Sequence, residues 1–237
     1  MRDYLWGEEN MAPEFDYERP SQPKDWNQLG VLVLDGSDSM TLKVKELEDW
    51  GVADQTKASA VNMAVRDLLT RLKASRKARN FTIAVVKFHE HVTEETEPTP
   101  VVDPITGDPT GGIDDSGNYD PTSAGTGGTF IGAGLARAKE ICEKFFADHQ
   151  HEGLPTDAVI LLMTDGECGQ PERTKEIAQE LKQNRHITLA ASFFATKDEE
   201  QHGVGLLRAI SSDPERYFKI VYDPKTLRTF WRDSFPT

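Results

Sequence analysis

The chain has 237 residues, 37% of them apolar, and a mean hydropathy of -0.55, values that suit one large α/β domain able to bury a core. A formal net charge of -13 argues against nucleic acid as a partner, because affinity for polyanions rests on neutralising phosphates. No apolar run approaches membrane-spanning length, so no membrane-spanning helix is expected. Only Cys142 and Cys168 are present, too few for a disulfide framework, and the first ten residues show no basic region followed by an apolar core. Together these features predict a cytoplasmic protein.

Residues 1–28 carry seven acidic and three basic side chains, with Pro13, Pro20 and Pro23 interrupting any helix. They read as a polar arm, with Tyr4, Leu5, Trp6 and Phe15 able to pin it to the body or to a partner, ahead of a domain over 29–237. Val31-Leu32-Val33-Leu34 has the length and composition of a buried parallel strand and runs into Asp35. A polar connection over 41–55 precedes a helix over 56–75, where Ala58, Val61, Val65, Leu68, Leu69 and Leu72 make one apolar stripe. Residues 81–88 form a second strand, and the charged, weakly alternating run 91–96 reads as a short edge strand.

Composition then changes. Residues 98–128 hold five prolines, seven glycines and five aspartates with no lysine or arginine, and read as a structureless connection that is either functional or disordered. A helix follows over 131–148, then the strongest strand signal, Ala158 to Met163, which runs into Thr164-Asp165-Gly166. Helix 171–184, strand 187–194, helix 201–211, strand 217–221 and helix 225–233 complete the chain. The alternation predicts a doubly wound, mostly parallel six-stranded sheet with one short antiparallel edge strand and helices on both faces.

In such sheets ligands sit at the carboxyl ends of the strands, where both Asp35 and Asp165 fall. Asp35, Ser37 and Ser39, spaced by two, put one carboxylate and two hydroxyls on one turn of loop. That all-oxygen set suits Mg²⁺ or Mn²⁺ and is poor for zinc or copper. Three oxygens do not fill an octahedron, so other segments must contribute.

The pattern Asp35-x-Ser37-x-Ser39-Met40, then Gly127-Gly128-Thr129 opening a helix, then Thr164-Asp165-Gly166 after an apolar strand, resembles the von Willebrand factor type A domain and its metal-ion-dependent adhesion site. The resemblance covers about residues 28–235. It implies a Rossmann-like fold and metal positions at Asp35, Ser37, Ser39, Thr129 and Asp165. It implies Mg²⁺ or Mn²⁺ as the ion, with Ca²⁺ a poorer fit, and an open position filled by an aspartate or glutamate of a partner protein. A stand-alone acidic domain of this kind is similar to bacterial and phage members found beside tellurium-resistance-type stress and defence genes or with AAA+ ATPases, where the family serves as adaptor or scaffold. On this reading Asp165→Ala abolishes metal-dependent capture and leaves the fold intact.

The sequence departs from the family at Asp38, where glycine is usual; the extra carboxylate either joins the surroundings of the ion or points to solvent as a turn residue. It departs also in the insertion, which leads into Thr129 and is expected to form a rim or lid on the metal-bearing face. Asp114 to Asp120 is faintly like a calcium loop, but Tyr119 stands where the sixth-position glycine belongs and no glutamate closes it. The pairs His89/His91 and His149/His151 lack a third ligand, Cys142 reads as packing, and Cys168 and Glu167 lie on a loop beside the site, Cys168 as an inert, exposed thiol.

Enzymatic alternatives fit less well. A metal-dependent phosphohydrolase of the haloacid-dehalogenase type needs a second carboxylate two residues after the first aspartate, where Ser37 stands, and no Gly-x-Ser-x-Gly elbow is present. The expectation is a binding protein without catalysis. Phosphohydrolase activity, or a structural subunit with a vestigial metal site, is the alternative.

Overall fold

The computed structural model describes residues 24–44, 55–195 and 202–235, so the aromatic anchors expected in the arm and most of the 41–55 connection lie outside the described residues. Strand β1 (Asn27–Asp35) is buried at all nine positions, as a strand covered on both faces must be. It starts inside the span read as the arm. Its side chains divide by parity: Leu32 and Leu34 enter one apolar cluster, Leu29, Val31 and Val33 the other.

Helix α1 (Lys57–Lys73) is started by the Thr56 hydroxyl, which accepts from the Ser59 amide. It packs on the Leu32/Leu34 face together with the last helix, α6 (Pro224–Ser234). Strand β2 (Phe81–Phe88) pairs in parallel with β1, and its outer edge is filled in two pieces, β3 (Val92–Glu95) and β4 (Thr99–Pro100). Helix α2 (Ile131–His149), strand β5 (Thr156–Thr164), helix α3 (Pro171–Gln183), strand β6 (Ile187–Phe194), helix α4 (Val204–Ile210), the single turn α5 (Pro214–Tyr217) and strand β7 (Phe218–Val221) follow. Helices α2, α3 and α4 cover the Val31/Val33 face.

The sheet order is β3-β2-β1-β5-β6-β7, with β4 beside β2, so there are seven strands where six are expected. The extra strand is Thr99–Pro100 at the start of the presumed structureless insertion. Two residues, one of them a proline and the other preceded by Pro98, carry no readable period, yet they pair with Thr82 and Ile83. The fold class is otherwise as expected. Helix α4 begins at Val204, directly after Gly203 at φ +87°, a left-handed conformation; Gln201, where the helix is expected to start, lies outside the described residues. Tyr217 belongs to α5, capped by the Asp213 carboxylate, so the last strand begins one residue late.

The insertion is built rather than structureless. Val101, Val102, Ile113 and Tyr119 are buried in the α1-side core, and the Tyr119 amide donates to the Asn62 carboxamide oxygen at 2.8 Å. Asp115 pairs with Lys73 at 2.9 Å.

Candidate functional site

Asp35 ends β1 with its side chain buried. Its Oδ1 accepts from the Ser37 amide at 2.8 Å, which tightens the loop, and its Oδ2 accepts from the Thr164 hydroxyl at the end of β5. One aspartate thus ties the ends of two adjacent strands. The loop continues as a single 3₁₀ turn, Asp38–Thr41, so Ser37 and Ser39 fall on one side, with hydroxyl oxygens 3.1 Å apart. Ser39 Oγ donates to Asp165 Oδ1 at 2.7 Å. The carboxylates and serines, 130 residues apart in sequence by the separation of Asp35 and Asp165, are therefore joined in one hydrogen-bonded chain.

Thr129 completes the group from a third direction. The amide of Asp38 donates to Gly127 O at 3.0 Å, that of Phe130 to His89 O at 2.9 Å and that of Gly169 to Thr129 O at 2.9 Å, so the approach to α2 is held to both aspartate loops. A β-carbon built on Gly166 would stand 3.1 Å from Thr129 Oγ1 and 3.7 Å from Ser39 Oγ, which places both hydroxyls beside the same glycine. Glycine here keeps the space between them open. All five residues singled out in the sequence are brought together.

Burial pushes the Asp35 carboxyl up to about 7; the Thr164 hydroxyl opposes the rise, Asp165 adds to it, and Ser37 opposes it. Because this is above the ordinary value, the uncharged form favours the fold below pH 4 or so, and that stability is lost as pH rises through about 7. In chelator, Asp35→Asn should therefore gain stability relative to the wild type between about pH 4 and pH 7, read by urea unfolding at each pH. A constant difference across that range would show that the carboxyl does not titrate there.

Chemically the donors are hydroxyl and carboxylate oxygens, which suit a hard divalent cation. Among the described residues no group of three or more histidine, cysteine, aspartate or glutamate side chains is placed to hold a metal, so a cation here must rely on hydroxyls.

Lys57, which the sequence reading passed over, enters the same site. Its ammonium donates to Asp165 Oδ2 at 2.8 Å, and the two side chains are 1% and 0% exposed. The readable signal is positional: Lys57 lies four residues before Val61, in register with the apolar stripe of α1.

The other candidates separate from the site. Asp38 is exposed, the turn-residue outcome, and so is Glu167. Cys168 is 5% exposed rather than open to solvent, with its sulfur 3.3 Å from Thr174 Oγ1; the start of α3 covers it. Cys142 is buried in the α2 face, and burial pushes its thiol up to about 12. His89 and His91 pack edge to face, and His89 Nδ1 accepts from the Glu90 amide at 2.6 Å. His149 lies against Phe145. In the calcium-like stretch, Asp114 and Asp120 each turn back to cap the residue two positions on, as solvated turns do.

The sequence profile of the von Willebrand factor type A domain matches residues 31–232. The chain belongs to that family. Solved structures with the same fold include the pilus adhesin SpaC from Lactobacillus rhamnosus GG, at 13% identity and a TM-score of 0.64, with 90% of this chain and 30% of that one covered. The von Willebrand factor type A protein from Catenulispora acidiphila aligns at 18% identity and 0.57, covering 88% of this chain and 42% of that one. The manganese-loaded TRAP protein of Plasmodium vivax aligns at 19% and 0.51, covering 87% and 72%. No curated protein matches in sequence. At these identities the structures establish the fold alone. This type A domain spans under a third of the pilus adhesin. No helix among its described residues is long and apolar enough to cross a membrane.

Proposed function

We propose that this type A domain is a metal-dependent protein-binding module whose adhesion site consists of Asp35, Ser37, Ser39, Thr129 and Asp165. The observation that carries the reading is the convergence of two buried carboxylates and the serine hydroxyls at the carboxyl ends of β1 and β5, with Thr129 beside them. Mg²⁺ or Mn²⁺ fits such a set, because small hard cations take oxygen ligands and tend to keep some water. When bound, the ion supplies a Lewis-acidic position for an aspartate or glutamate of the partner. The protein's part is to hold its oxygens rigid: Asp35 through Thr164 and the Ser37 amide, Ser39 through Asp165. That a manganese-loaded protein shares the fold supports the choice of ion class.

The domain works, on this reading, as a cytoplasmic adaptor rather than an enzyme. The resemblance to stand-alone members of the family is what supports a role in a tellurium-resistance-type stress or defence system, with a component such as an AAA+ ATPase supplying the acidic ligand. The test is affinity capture from lysate of the source cells in Mg²⁺ and in EDTA, with Asp35→Ala as control. A protein retained only by the wild type in Mg²⁺ is the expected result. Retention indifferent to metal and mutation would place recognition elsewhere, and phosphatase turnover lost in Asp35→Ala would replace binding with hydrolysis.

A further inference from the structure

The feature least explained by metal binding alone is a lysine in the metal site. Lys57 sits in the first turn of α1, where the helix dipole opposes a cation, and its side chain is 1% exposed. Burying an ammonium is unfavourable unless it is paired. Its position is nevertheless firmly specified. The Lys57 amide donates to Leu42 O at 3.0 Å, directly after the Asp38–Thr41 turn, and Lys43 bridges to Thr56, so the start of α1 is fastened to the loop that carries Ser37 and Ser39. The ammonium then meets Asp165 Oδ2 while Ser39 meets Oδ1, so the two oxygens of one carboxylate are divided between a fixed cation and the hydroxyl network.

Resting on the metal-site reading above, we propose that Lys57 is a built-in counter-cation that weakens and tunes divalent-ion binding by sharing Asp165 with the ion. With Asp35 and Asp165 ionised, the two carboxylates and the ammonium carry a net charge of about -1 instead of -2, and charge repulsion at this range in a poorly solvated site is substantial. The ion is held less tightly, and for the same reason its remaining positive charge is less quenched toward an incoming carboxylate. Lys57 is a positioning and affinity-setting residue; a partner's carboxylate does not need to touch it.

The experiment is calorimetric titration of purified full-length protein with Mn²⁺ and with Mg²⁺, for wild type, Lys57→Met, Lys57→Gln, Lys57→Arg and Asp35→Ala, alongside thermal unfolding with and without Mg²⁺. The proposal expects about tenfold tighter binding in the Met and Gln variants and near wild-type affinity in Arg. It expects also a larger rise in Tm on adding Mg²⁺ for the two neutral variants, as linkage requires. The Gln variant keeps a polar head should Met fail to fold. Unchanged affinity in both neutral variants would make Lys57 a structural residue and overturn the proposal; weaker affinity would overturn it by showing that Lys57 prepares Asp165 for the ion. If wild type, Lys57→Met and Asp35→Ala all fail to bind either ion, the metal reading itself falls, and this proposal with it. Metal binding lost in Asp35→Ala but equal in all Lys57 variants defeats the proposal alone.

Discussion

Asp165→Ala in metal-free buffer is expected to lower the free energy of unfolding by about 3 kcal/mol or more, because it removes one member of a buried ion pair. The substitution takes from Lys57 a carboxylate 2.8 Å away and from Ser39 the acceptor of its hydroxyl at 2.7 Å. This revises the expectation from the motif alone, in which Asp165 acts only on the ion and its loss leaves the fold untouched. The double variant Lys57→Met/Asp165→Ala should recover most of the deficit, since replacing both members of a buried pair by apolar groups is often nearly neutral. What stays lost is the Ser39 hydrogen bond, worth about 1 kcal/mol. Urea unfolding of the four proteins closes a double-mutant cycle; because Lys57→Met alone also strands a buried charge, a coupling of well over ~2 kcal/mol is the expected reading. Additive effects would mean that the two side chains do not stabilise one another in solution. Either way metal binding should vanish in Asp165→Ala.

The difference between the two expectations shows what a sequence makes visible. Strands β2 and β6 were readable to both ends, because each is a short apolar run in which the two faces are covered and the flanks are polar. The five oxygen-bearing residues were readable because they follow strand ends and family spacing. Lys57 was not, since its partner is 108 residues away and a lysine at the end of an apolar stripe usually reaches water along its own stem. The insertion was misread for a related reason. Its glycines and prolines set the local composition, whereas the residues that order it, Val101, Val102, Ile113 and Tyr119, are isolated and take their energy from a core made by other segments. Pattern reports periodicity within one element; it is silent on which single side chains meet across elements.

Lys87 is the second such side chain, and its removal gives the other large effect. It interrupts an apolar strand, Ile83-Ala84-Val85-Val86-Lys87-Phe88, and its side chain is 3% exposed. Nζ donates to Glu94 Oε2 at 2.8 Å on β3, to the Asn118 carbonyl at 3.0 Å and to Ser123 Oγ at 3.0 Å. All three donors of one ammonium are used, two of them on the insertion. Between those two lies Pro121, whose carbonyl oxygen would be 2.4 Å from a β-carbon on Gly36, the residue after Asp35. The insertion is therefore pressed against the aspartate–serine loop, and only glycine at position 36 permits that approach. Lys87→Met should destabilise the protein by about 2–3 kcal/mol, since it leaves the Asn118 carbonyl and the Glu94 carboxylate without their charged donor. Hydrogen exchange should quicken at the Ser123 and Gly125 amides, whose own acceptors are the Asp120 and Thr122 carbonyls of the same stretch. Metal affinity should fall a few-fold, as the loop carrying Ser37 and Ser39 loses its outer wall. Global destabilisation with no local change in exchange would confine Lys87 to the sheet edge and Glu94. Fast exchange in the insertion with metal affinity unchanged would show that the aspartate–serine loop holds its shape by the Gly36–Phe88 and Asp38–Gly127 backbone bonds alone.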